Sequence, residues 1–121
     1  MPVRDELQTL WDAYTAAYRA GDAAGCAAVF VPDGAVYSPY SPPAHGRPAI
    51  EVLHREWTQV AGGEKQLTVL DAGSSGALAW SLTAYSEGDP AEDGTSLSVL
   101  ERQADGGWLI RLCSLNKNAP G

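Results

Sequence analysis

The sequence predicts an α+β domain, with helices in the first half and antiparallel strands in the second. Three observations predict it. Apolar residues recur at spacings of three and four through the first 60 residues. Beyond residue 64 the period shortens to two, as strands require. Glycine-rich and acidic turn signals then divide that half into four strand-length runs. Helices first and sequential hairpins afterwards give α+β rather than alternating α/β. The 121 residues suit one domain, and no internal repeat, linker or second domain interrupts residues 1–121.

Residues 5–20 read as an amphipathic helix on Leu7, Leu10, Trp11, Tyr14 and Tyr18. Gly21 ends it, and Asp22 caps a short alanine-rich helix over 22–30. Pro32-Asp33-Gly34 reads as a turn before a short strand, 35–38. Residues 39–48 hold four prolines and form an irregular, stiff loop. Pro48 suits the first turn of a third helix, whose face is Ile50, Leu53, His54, Trp57 and Val60 and which Gly62-Gly63 stops. Strands are expected at 65–72, 77–87, 95–104 and 107–116. Their links are Gly73-Ser74-Ser75-Gly76, an acidic loop from Glu87 to Gly94, and Ala104-Asp105-Gly106-Gly107, a strong hairpin signal. In the second of these strands Leu78, Trp80, Leu82 and Ala84 alternate with Ala77, Ala79, Ser81 and Thr83.

Composition excludes several function classes. The net charge of -7 argues against nucleic acid and anionic membranes, both of which demand a basic face. No apolar run is long enough to span a bilayer. The N-terminus carries Asp5 and Glu6 where a signal peptide would be apolar, so an unprocessed, cytoplasmic chain is expected. Cys26 and Cys113 lie far apart and are expected as reduced, buried thiols. With no paired cysteine motif and two histidines, neither a metal site nor a cofactor is expected.

A set of short motifs carries a resemblance. Tyr14 and Tyr18 precede Gly21-Asp22; Phe30 precedes Asp33 and Ala35-Val36; Pro39, Gly46-Arg47, Ala49-Ile50 and Asp105-Gly106-Gly107-Trp108 follow in order. Together they span nearly the whole chain, which resembles the nuclear transport factor 2-like superfamily, in its SnoaL-like and ketosteroid-isomerase-like bacterial branch. The resemblance implies a cone: a strongly curved antiparallel sheet, three N-terminal helices packed into it, and a pocket at the open end. It also implies a homodimer formed through the outer sheet face. It does not imply one function, because such a fold hosts many.

In ketosteroid isomerases a tyrosine at the place of Tyr14 donates to the substrate oxyanion, an interaction worth several kcal/mol in a dry pocket. The general base of those enzymes stands where this chain has Ser38, whose hydroxyl cannot take a proton from carbon unaided. Their second oxyanion donor, a buried acid, falls at Ser98 or Val99. The usual isomerase mechanism is therefore rejected. His45, beside the expected mouth, is the best remaining base, and His54 lies at the margin of the third helix's inner face. Glu51 and Arg55 read as a local ion pair, Asp22 as a cap, and Asp33 as a turn residue. Glu87, Asp89, Glu92 and Asp93 read as a solvated acidic loop, in which Asp89 and Asp93 lack a calcium-loop pattern.

Tyr14, Tyr18, Tyr37, Tyr40, Trp57 and Trp80 all fall on elements expected to face the cone or its rim. Leu82, Ser38, Ser98 and Asn116 complete the expected lining, with Tyr14 and His45 as the candidate catalytic pair. Aromatic bodies with a few hydroxyl tips suit a small, largely apolar, oxygen-bearing ligand. The expected function is binding of such a molecule; if the chain is also an enzyme, the expected chemistry is isomerase-, cyclase- or dehydratase-type proton transfer. The alternative is a non-catalytic dimeric binding or dimerisation module.

Overall fold

Helix α1 (Val3–Arg19) buries Leu7, Trp11, Tyr14 and Tyr18, spaced four, three and four apart. The computed structural model describes residues 2–60, 64–88 and 93–118. Asp5 and Glu6 open α1 and Arg19 closes it, each matching the helix dipole. Gly21, at φ 71°, turns the chain into α2 (Ala23–Ala28). Asp22 caps that helix by accepting from Gly25 N–H at 2.9 Å.

Strand β1 (Phe30–Tyr37) runs through Pro32-Asp33-Gly34, so the expected turn is absent. An irregularity in its pairing between Phe30 and Ala35 accommodates the proline, and Asp33 meets Arg111 at 2.8 Å instead of folding onto its own backbone. A short strand unforeseen in the proline-rich loop, β2 (Ala44–His45), pairs antiparallel with β1. Gly46 (φ 85°) leads into α3 (Arg47–Val60). The expected stop at Gly62-Gly63 and the side chain of Val60 lie outside the described residues.

Four strands follow: β3 (Gln66–Ser75), β4 (Leu78–Ser86), β5 (Gly94–Arg102) and β6 (Trp108–Lys117). Gly73, Ser74 and Ser75 belong to β3, and the hairpin turns at Gly76-Ala77. The sheet order is β2-β1-β6-β5-β4-β3. All neighbours are antiparallel except β1 and β6, which are parallel, so the curved sheet is mixed rather than purely antiparallel. The fold is α+β, and its third helix follows two strands instead of completing an uninterrupted N-terminal set.

β3 is a long edge strand, and α1 covers its exposed backbone. Gln8 accepts from Val69 N–H (2.8 Å) and donates to Leu67 C=O (3.2 Å), and Arg4 donates to Val69 C=O (2.9 Å). One glutamine thus takes the place of a neighbouring strand and blunts the edge.

The register decides which residues face the helices. Val36, Cys113, Ser98 and Ser81 form one row across β1, β6, β5 and β4, and all are buried against the helices. The adjacent row, Tyr37, Ser114, Leu97 and Leu82, lies on the opposite face. Along β4 it is therefore Ala79, Ser81, Thr83 and Tyr85 that point inward, while Leu78, Trp80, Leu82 and Ala84 point outward. The larger apolar set would suggest the reverse. Trp11, Tyr14 and Tyr18 of α1 belong to the same core cluster as β4's Ala79, and where α1 packs the strand carries mostly small residues. Trp11 Nε1–H donates to Ser81 Oγ at 3.2 Å, which fixes the small polar residue beneath the indole.

Candidate functional site

The ends of β1, β4 and β6 and the starts of β3 and β5 meet the last turn of α1 at one end of the sheet. Two polar clusters occupy this side. The deeper one begins at Tyr14, whose Oη lies 2.7 Å from His54 Nε2. His54 is 1% exposed, surrounded by the rings of Tyr14, Tyr18, Phe30 and Trp57. Its Nδ1 lies 2.8 Å from the Ile50 carbonyl, which only accepts, so Nδ1 carries the proton. Burial pushes the imidazole pKa down to about 4. Near neutrality Nε2 is therefore an acceptor and Tyr14 donates to it. Burial likewise holds the Tyr14 phenol well above its ordinary range. The hydroxyl proton expected to serve a substrate oxyanion is committed to His54.

The second cluster sits where α1 ends and β4 leaves the sheet. Glu87 Oε1 accepts from Tyr18 Oη at 2.8 Å and from Lys65 Nζ at 3.3 Å. Lys65 is only 5% exposed. Its ammonium lies 4.5 Å from the Tyr18 ring centroid and 5.1 Å from that of Tyr85. Burial lowers the amine's pKa and the Glu87 carboxylate works against that shift. Arg19 Nε donates to the Lys65 carbonyl at 2.6 Å and pins its backbone to α1. Tyr85 Oη contacts Tyr40 Oη at 2.8 Å, and Tyr40 stands edge-on to Trp57. Gly94 lies opposite Tyr85, and a Cβ there would collide with the phenol oxygen. The glycine allows that ring to lie across β5.

Between the clusters the sheet presents a strip of buried hydroxyls: Ser81, Thr83, Ser96 and Ser98. Among the described residues Thr83 Oγ1 has no hydrogen-bond partner, and Ser98 Oγ has none besides the weak acceptor or donor sulfur of Cys113 opposite it. Cys113, opposite Ser98, is a buried free thiol, as is Cys26, in keeping with the expected reduced pair. Among the described residues no group of three or more His, Cys, Asp or Glu is arranged to hold a metal ion.

The sequence-expected lining divides. Tyr14, Tyr18, Trp57 and Ser98 face the helices or lie among them, and Tyr40 stands at the rim. Tyr37, His45, Trp80, Leu82 and Asn116 do not join them. Register with the inward rows sends all five to the outer face. His45 packs edge-on against Tyr37 there, on the opposite face of the sheet from Tyr14. Trp80, 40% exposed, lies over Gly73 of β3, where a Cβ would leave no room for the indole. Ser38 accepts from Tyr40 N–H at 3.3 Å in a local turn after β1. Glu51 and Arg55 pair on α3 as expected. Asp89 and Glu92 lie outside the described residues, and Asp93 is half-buried at the foot of β5.

Lys65, Tyr85, Glu87 and His54 were the residues underrated. Lys65 shares the parity of Leu67 and Val69, and Glu87 shares that of Tyr85. That alternation was the available signal. A charged residue in step with inward apolar positions points inward too.

Solved structures of the same architecture cover nearly all of the chain. A domain with a cystatin-like fold from Nostoc punctiforme superimposes with a TM-score of 0.82 at 17% identity, over 99% of this chain and 80% of its own. A nuclear transport factor 2-like protein with a cystatin-like fold from Novosphingobium aromaticivorans gives 0.77 at 17%, over 98% and 83%. This chain has the nuclear transport factor 2-like fold. A ketosteroid isomerase-like protein from Erwinia carotovora atroseptica has it also, with a TM-score of 0.78 at 18% identity over 98% of both chains. No protein-family model matches the sequence, and no curated protein matches it. At these identities the nuclear transport factor 2-like fold is shared and the chemistry is not thereby transferred. No helix among the described residues is long and apolar enough to cross a membrane.

Proposed function

We propose that the concave side of the sheet binds a small, largely apolar molecule bearing one or two oxygens, entered at the end ringed by Tyr18, Tyr40, Tyr85 and Glu87. One observation carries this reading. Thr83 and Ser98 hold fully buried hydroxyls that, among the described residues, have no oxygen or nitrogen partner, the first none at all and the second only the Cys113 thiol. An unpaired buried hydroxyl costs about 1–3 kcal/mol, and a ligand oxygen reaching it recovers that cost. If the site is catalytic, proton transfer on a carbonyl compound is its chemistry, of isomerase, cyclase or dehydratase type. Glu87 then carries the proton, in place of the expected Tyr14 and His45 pair, with Lys65 as donor to the developing charge.

The test uses 2-naphthol, a planar apolar probe with one oxygen. Its addition should shift the NMR amide signals of Thr83, Ser98 and Tyr85. The paired Thr83→Val and Ser98→Ala changes should weaken binding roughly tenfold or more. Shifts confined to Trp80, Leu82 and Leu97 would place binding on the outer face and sink the reading.

A homodimer through the outer face is proposed on a separate observation. Leu78, Trp80 and Leu97 are each 40% exposed or more, with Leu82, Val99 and Leu112 in adjoining positions of the same face. A contiguous apolar area of this kind marks an interaction surface. Sedimentation velocity should give a dimer for the wild type and a monomer for the Trp80→Glu, Leu97→Glu double variant. A monomeric wild type at high protein concentration excludes the proposal.

A further inference from the structure

The chain contains two lysines, Lys65 and Lys117, and one of them is buried among aromatic rings. Lysine is seldom buried unless it is paired, because an ammonium loses its hydration there. Lys65 has a carboxylate beside it, but only one hydrogen bond among the described residues, to Glu87 at 3.3 Å. Its other sides meet the ring faces of Tyr18 and Tyr85. A structural ion pair would be expected to gather more acceptors than this around three N–H donors. The arrangement is an amine held by soft ring faces, next to a partly exposed carboxylate that reaches solvent at the rim.

We propose that Lys65 forms an imine with an aldehyde or ketone bound in the site, with Glu87 carrying the protons. The inference rests on the binding reading above and deepens it by naming the ligand's reactive group. The Lys65 ammonium first passes a proton to the Glu87 carboxylate beside it. The neutral amine then attacks the carbonyl carbon, a C–N bond forms as the C=O π bond breaks, and a proton moves from that nitrogen to the oxygen to give a neutral carbinolamine. Glu87 donates a proton to that hydroxyl, the C–O bond breaks, and water leaves. The iminium that results lies against the regenerated Glu87 carboxylate. Water adds in reverse to release the carbonyl compound, so no oxidant or further reactant is consumed. Burial lowers the amine's pKa and so favours the free base that attack requires. Tyr18 and Tyr85 present ring faces to the nitrogen that becomes the C=N group.

The experiment compares 2-naphthaldehyde with 2-naphthalenemethanol, which has the same ring system and cannot condense. Both are titrated against the wild-type protein by tryptophan fluorescence, and each mixture is then reduced with sodium cyanoborohydride and mapped by peptide mass spectrometry. The expected result is binding of both probes and one naphthylmethyl group on Lys65, from the aldehyde alone. Lys65→Arg should lose that adduct. Glu87→Gln should form it about a hundredfold more slowly, as loss of a positioned acid predicts. Mapping the wild-type protein distinguishes Lys65 from Lys117 whether or not the variants fold. Binding of both probes with label only on Lys117 or the N-terminal amine overturns the imine while leaving the binding site intact. Failure of either probe to bind the concave side overturns both.

Discussion

Replacing His54 by alanine is expected to destabilise the domain by about 3–5 kcal/mol. The imidazole is 1% exposed and touches four aromatic rings, so truncation opens a cavity that rigid rings cannot close. It also strips the Tyr14 hydroxyl and the Ile50 carbonyl of a partner. Tyr14→Phe removes only the single hydrogen bond and leaves the ring in place, so its cost should be smaller, about 1–3 kcal/mol. Urea midpoints at equal m-values would rank the two. A His54→Ala loss no larger than that of Tyr14→Phe would show that the imidazole does not hold the core. For a domain of typical stability, the larger loss removes a third or more of the total.

Acid should destabilise the wild type through the same residue. In the unfolded chain the imidazole takes up its proton near pH 6.5, whereas in the folded protein it resists until about pH 4. Between those values the unfolded state binds more protons, so stability falls as pH falls. The full stability is present above pH 6.5, and the loss amounts to about 3 kcal/mol by the time pH reaches the folded value. Carboxylates also titrate at the acid end, so the comparison must be internal. Denaturation at pH 7, 6, 5 and 4.5 should give a steeper decline for the wild type than for His54→Gln, which does not titrate. Parallel profiles would rule out a neutral buried imidazole. Nitrogen chemical shifts provide a second check, since the Nδ1–H tautomer hydrogen-bonded to Ile50 should persist well below pH 6.

Much of the fold was legible because the sequence expresses it locally. The α1 face, the Asp22 cap and the Asp105-Gly106-Gly107 hairpin all emerged where spacing and turn chemistry placed them. The misreadings share a cause. Pro32-Asp33-Gly34 has turn composition, yet β6 lies alongside and draws it into a strand, with Arg111 taking the Asp33 carboxylate. β2 is two residues long and owes its existence to β1, so no pattern within it could announce it. In β4 the larger apolar residues suggest the inward set, but α1 brings aromatic bulk of its own, and most of the wall it meets must be small.

The sequence by itself determined the α+β class and the inward faces of the helices, Tyr14 and Tyr18 among them, while the resemblance implied that Ser38 replaces a carboxylate base. These follow from periodicity, from one helix face, or from the identity of a single residue. Only the tertiary structure decided that His54 occupies Tyr14's proton, that His45 lies outside, and that Lys65 and Glu87 meet beneath Tyr18. Alternation along a strand sorts residues into two sets without saying which set is inside. That choice is made by what packs against the sheet, and here the aromatic face of α1 turned the serines, Tyr85 and the buried lysine inward.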